Sequence, residues 1–99
     1  QRILARLKPD TYLITLEIKG RLLTSEGLAK RIQTLALAGR SHLTFVIGGS
    51  VGLSSVVSDK ADLQLSFGRF TYPHQLMRMI LLEQIYRSFK IIKGEPYHK

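Results

Sequence analysis

A chain of 99 residues, 44% of them hydrophobic, holds one small domain with a real core and is too short for two. It has no cysteine, which excludes disulfides and thiolate metal sites and fits a cytoplasmic protein. Fifteen Lys and Arg against seven Asp and Glu leave a net charge of +8, a balance that favours polyanions such as RNA, DNA or an anionic surface.

No apolar run reaches the ~18 residues that suggest a membrane span, so no membrane partner is expected. The chain opens on Gln1 inside what reads as the end of a helix, Gln1 to Leu7, without a Met or a signal-like segment. It is expected to be the back part of a longer protein.

Tyr12 to Ile18 (YLITLEI) is β-branched and apolar and predicts a strand after the turn at Pro9-Asp10. Thr24-Ser25-Glu26 pairs a hydroxyl cap with an acid in the first turn, a helix start. That helix runs to Ala38, with Leu28, Ile32, Leu35 and Ala36 on its core face, and Gly39 ends it. His42 to Ile47 (HLTFVI) predicts a second strand, apolar enough to be buried on both faces. Gly48-Gly49-Ser50-Val51-Gly52 is a glycine-rich loop, Leu53 to Lys60 a short helix, and Asp62 to Phe67 a third strand. Pro73 to Lys93 is the last helix, with Pro in its first turn and Gly94 just past its end. There is no internal repeat, low-complexity tract or linker.

Alternating strands and helices predict an α/β fold, a mostly parallel sheet with flanking helices. Ligands of such sheets sit outside the carboxyl ends of the strands. Three segments are expected there: Glu17 to Gly20, Gly48 to Gly52, and Phe67 to Tyr72.

The last helix is apolar around most of its circumference, with one charged stripe at Glu83, Arg87 and Lys90. Such a helix is buried on more than one side. The sheet covers one side, and a second subunit is expected on the other, making a homodimer. The competing reading is that a preceding part of the chain covers that face.

The glycine loop follows a strand and precedes a helix, which suits a phosphate or nucleotide. Its spacing matches neither GxGxxG nor the P-loop, and the glycines equally serve a tight turn. They do permit a ligand to be read by main-chain groups. His74 reads as structural and His42 as surface. Three scattered histidines give no metal-ligand spacing, so no metal is expected. No Ser-His-Asp or paired-carboxylate pattern stands out. At the carboxyl end Arg87, Lys90, Lys93 and Lys99 cluster, interleaved with Tyr97 and His98. Cations grip phosphates and rings stack on unpaired bases, which points to RNA. The alternative is a solvated helix end whose cations complement the dipole.

Several blocks together resemble one family. They are Leu16-Glu17, Leu22-Leu23-Thr24-Ser25-Glu26, Val46-Ile47-Gly48-Gly49-Ser50-Val51-Gly52-Leu53, Leu65-Ser66-Phe67, Thr71-Tyr72-Pro73-His74-Gln75, Leu82-Glu83-Gln84-Ile85-Tyr86-Arg87 and Pro96-Tyr97-His98-Lys99. In this order they resemble the RlmH family, SPOUT-class methyltransferases of bacterial large-subunit ribosomal RNA, over essentially the whole chain. Residues 1–99 would then form a single SPOUT methyltransferase domain lacking its N-terminal strand and helix.

The resemblance implies a homodimer with a C-terminal trefoil knot that binds S-adenosylmethionine. It implies methylation of N3 of a pseudouridine in a stem-loop at the subunit interface of the assembled ribosome. Carried over by motif, the cofactor pocket comprises Leu16, Gly48, Phe67, Gly68, Arg69, Phe70, Thr71 and Tyr72. Phe67-Gly68-Arg69-Phe70 departs from commoner family versions of that loop, which matters little if the backbone does the reading. Periodicity predicts no knot, since connections are normally unthreaded.

His98 is the candidate for proton handling, because an imidazole titrates near ~6.5. Tyr97 is expected to stack on or bond to the base, and Arg69 and Lys99 to hold phosphates or the flipped nucleotide. Two readings of other classes compete. One is a non-catalytic module binding RNA or the ribosome. The other is an α/β enzyme using another nucleotide at Gly48 to Gly52.

Overall fold

The computed structural model describes residues 10–40, 42–48, 55–68 and 73–96, and of His74 the backbone alone. The order is β1 (Tyr12–Leu22), α1 (Ser25–Leu37), β2 (Leu43–Ile47), α2 (Ser55–Lys60), β3 (Leu63–Ser66) and α3 (His74–Ile92). The three strands form one parallel sheet in the order β2-β1-β3. A central first strand flanked by two later ones requires a crossover on each side, which α1 and α2 supply.

β1 sorts its residues by alternation. Ile14 and Leu16 join Leu63 and Leu65 of β3, Leu28 and Ile32 of α1 and Leu81 of α3 in the main core. From the same strand Leu13 and Thr15 are buried too, as is Val57 of α2. The strand is longer than the seven residues its β-branched run predicts, because it continues through Gly20 to Leu22. Its register against β3 shifts on the way. Leu65 is the partner of Leu16 and again of Arg21. Residues 17–20, expected beyond the strand end, are thus a bulged excursion within it.

The α1 start is as the sequence predicts. The Gly27 N–H donates to the Thr24 hydroxyl at 2.9 Å, closing the N-cap. Its buried face is Leu28, Ala29 and Ile32, with Leu35 half-buried. Ala36, expected on the core face, is exposed. Ala36 stands in the last turn of the helix, where Leu37 and Ala38 are exposed as well. β2 also departs from expectation. Each of its residues is half-buried, because it pairs with β1 alone among the described residues.

In α3, Leu81 and Ser88 are buried, and Met77, Ile85 and Ile92 pack against the core cluster. The opposite side is apolar and open: Leu76, Met79, Leu82, Tyr86 and Phe89 are all exposed. Residues 49–54 and 69–72, the connections a trefoil knot would involve, lie outside the described residues. No helix among the described residues is long and apolar enough to cross a membrane.

Candidate functional site

One register row crosses the sheet near its carboxyl edge: Ile47, Leu16 and Leu65 lie side by side on β2, β1 and β3. Gly48 follows Ile47, and Phe67 and Gly68 follow Ser66 at the end of β3. Four candidate ligand positions far apart in sequence, Leu16, Gly48, Phe67 and Gly68, therefore share one edge. Leu16 is buried in the core, and Gly48, Phe67 and Gly68 are half-buried. The remaining candidates, Arg69, Phe70, Thr71, Tyr72, Tyr97, His98 and Lys99, lie outside the described residues.

Ser66 fixes the start of the candidate loop. Its buried hydroxyl accepts from the Gly68 N–H at 3.0 Å. It donates towards the Ile18 carbonyl at 2.9 Å and the Gly68 carbonyl at 3.0 Å. One side chain thus joins the β1 excursion to the turn after β3. Gly68 has φ +120°, a conformation that excludes ordinary side chains at little cost only to glycine. A Cβ built there would meet no atom of the described residues within 4 Å.

On the other face a polar network braces the excursion. Thr15 donates to Glu17 Oε2 at 2.6 Å, and Ser58 of α2 donates to both Glu17 oxygens at 3.0 Å. Gln64 Nε2 donates to the Ser58 carbonyl and hydroxyl at 2.9 Å. At the amino edge Asp62 performs a similar service, accepting from the Leu13 N–H at 2.7 Å. The carboxylate of Glu17 is thereby committed inwards.

A cavity of about 270 Å³ opens beside this edge. Leu22, Leu28, Leu65 and Phe67 give it an apolar floor, and Ser25 and Gln84 are among its polar groups. Ser25 donates to Gln84 Oε1 at 2.7 Å, tying the first turn of α1 to α3. The arrangement offers an apolar recess with main-chain and amide groups at its rim, a setting for a flat, polar-edged ligand.

The chain leaves α3 through a second fixed turn. Gly94 has φ +71°, and the Glu95 N–H donates to the Lys90 carbonyl at 2.9 Å. Lys90 also pairs with Glu95 at 2.5 Å and lies 5.2 Å from the Tyr86 ring centroid. The hydrogen bond that Lys90 donates to the Glu95 carboxylate, then its bond with Tyr86, raises the Lys90 pKa, and the same Lys90 bond lowers that of Glu95. No group of three or more metal-ligating side chains occurs among the described residues.

In the sequence Ser66 stands out only within the Leu65-Ser66-Phe67 block, with no role of its own. A lone Ser inside an apolar strand was the available signal, since a buried hydroxyl needs partners. Glu17, Ser58 and Gln64 carried no such signal, because their meeting depends on the crossover through α2.

The family described as predicted SPOUT methyltransferases matches residues 1–98. A protein of Carboxydothermus hydrogenoformans named ribosomal RNA large subunit methyltransferase H is 62% identical over 99 residues, covering 100% of this chain and 62% of that protein. One of the same name from Enterococcus faecalis is 57% identical over 99 residues, with the same coverage. The chain thus spans 62% of the length of these relatives.

Proposed function

The chain belongs to the SPOUT methyltransferase family, and on that premise we propose that it transfers a methyl group from S-adenosylmethionine to N3 of a pseudouridine in large-subunit ribosomal RNA. The observation that carries the reading is the meeting of Leu16, Gly48, Phe67 and Gly68 at one strand edge, in a chain 57–62% identical to proteins named as methyltransferases of that RNA. We read residues 1–99 as one SPOUT domain with a C-terminal trefoil knot, acting in the cytoplasm on RNA or the assembled ribosome.

The described part of the edge fits S-adenosylmethionine. A Cβ on Gly68 would meet no described atom within 4 Å, Leu16 and Phe67 are apolar, and Ser25 and Gln84 line the cavity beside them with polar groups. Bound there, S-adenosylmethionine supplies an already activated methyl group. The chain's own work is placement. Leu16, Gly48 and residues 67–72 hold the donor. Tyr97 and His98 hold the base, and His98 takes the proton from N3. Arg69 and Lys99 hold the flanking phosphates.

The exposed side of α3 supports a homodimer. Met79 is 69% exposed and Leu82 61%, on the same side as Leu76, Tyr86 and Phe89. A face of this kind on a small domain belongs against another surface, and a second copy of α3 offers the same apolar residues in return.

Calorimetric titration with S-adenosylmethionine, followed by mass spectrometry of nucleosides from ribosomes incubated with the protein, tests the proposal. Saturable binding and a new methylated pseudouridine are expected. RNA binding without donor binding would replace the proposal with a non-catalytic RNA module. Binding of a different nucleotide would replace it with another α/β enzyme.

A further inference from the structure

The β1 excursion carries two cations, Lys19 and Arg21, on either side of Gly20. Both are exposed, and neither makes an ion pair among the described residues. The neighbouring carboxylate cannot serve them, because Glu17 is held by Thr15 and Ser58. The other described cations near a carboxylate behave differently: Arg87 pairs with Glu83 and Lys90 with Glu95.

The backbone under the two cations is fixed. A Cβ on Gly20 would lie 2.7 Å from the Gln64 carbonyl oxygen and 2.9 Å from the Leu65 carbonyl carbon. The excursion therefore presses directly on β3. Arg21 lies opposite Leu65, and Leu22 opposite Ser66. Gly20 is pressed on β3, while Lys19 and Arg21 on either side of it are exposed. Two residues apart in the chain, their backbones lie at most about 7 Å from each other, within the reach of successive phosphates of one strand. The Ser66 hydroxyl then links this arm to Gly68 through Ile18.

We propose that Lys19 and Arg21 form a phosphate-gripping arm that seats the RNA backbone beside the methyl-transfer edge. The proposal rests on the RNA-methyltransferase reading for the identity of the polyanion. Its geometry rests on the arm alone. Loose surface lysines contribute charge to any polyanion. Two cations on a strand braced against β3 also set the register of the RNA relative to residues 67–68, as phosphate contacts do.

The test is filter binding of a large-subunit ribosomal RNA stem-loop between 50 and 200 mM salt, on the order of the range where phosphate contacts dominate. Each phosphate contact contributes about 0.7–0.9 to the slope of log K against log salt. The K19A/R21A double variant should lower that slope by about 1.5 and weaken binding at least several-fold. The charge-keeping K19R/R21K variant should retain the slope. The K30A/K60A control removes two exposed cations from α1 and α2 and should leave it unchanged.

S-adenosylmethionine affinity, measured separately by calorimetry, should match wild type in all three variants. An unchanged slope in K19A/R21A, or an equal fall in K30A/K60A, overturns the arm. Absence of donor binding in the wild-type protein overturns the methyltransferase reading instead, and leaves the slope comparison to decide the arm by itself.

Discussion

Ser66 and Ile18 are joined through a hydroxyl-to-carbonyl bond of 2.9 Å, although they stand 48 residues apart. That bond couples a strand end to the excursion beside it, and the same oxygen caps the Gly68 N–H. Ser66→Ala removes both bonds at once and takes the buried hydroxyl out of the strand end. It should cost about 1–3 kcal/mol in urea unfolding. S-adenosylmethionine affinity should fall about tenfold, roughly 1.4 kcal/mol. Unaltered melting together with an unaltered titration would remove Ser66 from this role.

Gly20 and Gly68 are required for different reasons, and alanine separates them. At Gly20 the new Cβ would collide with the backbone of Gln64 and Leu65, at 2.7–2.9 Å. Backbone cannot rotate away, so Gly20→Ala should destabilise by at least the ~1–3 kcal/mol of ordinary overpacking. At Gly68 no described atom lies within 4 Å of a new Cβ, but φ is +120°. Gly68→Ala should cost about 1–3 kcal/mol of backbone strain and should weaken donor binding more than its stability loss accounts for. Chemical denaturation and calorimetry on the two variants decide between collision and strain.

Met79→Glu and Leu82→Glu put charge on the open side of α3 without touching the core. Sedimentation should show wild-type dimer and variant monomer, with far-ultraviolet dichroism unchanged. Dimeric variants would move the interface elsewhere.

The Lys90–Glu95 pair should give a small stability term with two ends. The Glu95 pKa is lowered, so its contribution is present above the ordinary carboxylate range and is lost as pH falls through the lowered value. The Lys90 pKa is raised, so its contribution is present below the ordinary lysine value and is lost as pH rises through the raised one. Thermal melts of Glu95→Gln against wild type should differ most at neutral pH and converge in acid. Salt should shrink the gap, since both groups face solvent. A gap that persists in acid would show that Glu95 acts other than through its charge.

Removing Tyr97, His98 and Lys99 should abolish methyl transfer to ribosomes and leave S-adenosylmethionine binding within about twofold, a few tenths of a kcal/mol. Full turnover in the shortened protein would end the case for His98 as the proton acceptor.

The order of strands and helices was legible because each carries its own local signal. Thr24 caps α1 through its hydroxyl, Pro73 opens α3, and Gly94 closes it. Burial was less legible. The apolar run of β2 reads as a buried strand, yet exposure depends on neighbours, and β2 has one described strand beside it. The excursion was hidden for a related reason. Nothing local in Glu17-Ile18-Lys19-Gly20 says that Leu65 will face both Leu16 and Arg21. Gly20 gave a hint, because glycine within a strand run marks close backbone approach. Leu16, Gly48, Phe67 and Gly68 could be grouped in advance only through topology and family likeness, since tens of residues separate them.

An all-parallel sheet has a cost during synthesis and refolding. No two of the described strands can zip from a hairpin, and the Leu13–Asp62 bond at the start of the β1–β3 ladder joins residues 49 apart in sequence. Loop-closure entropy must be met before the ladders return it, so the domain belongs among slow folders, on the order of milliseconds to seconds. Throughout that interval the apolar side of α3 and the unpaired strand edges are open to other chains. Recovery from denaturant should therefore fall as protein concentration rises, and a holdase chaperone should restore it.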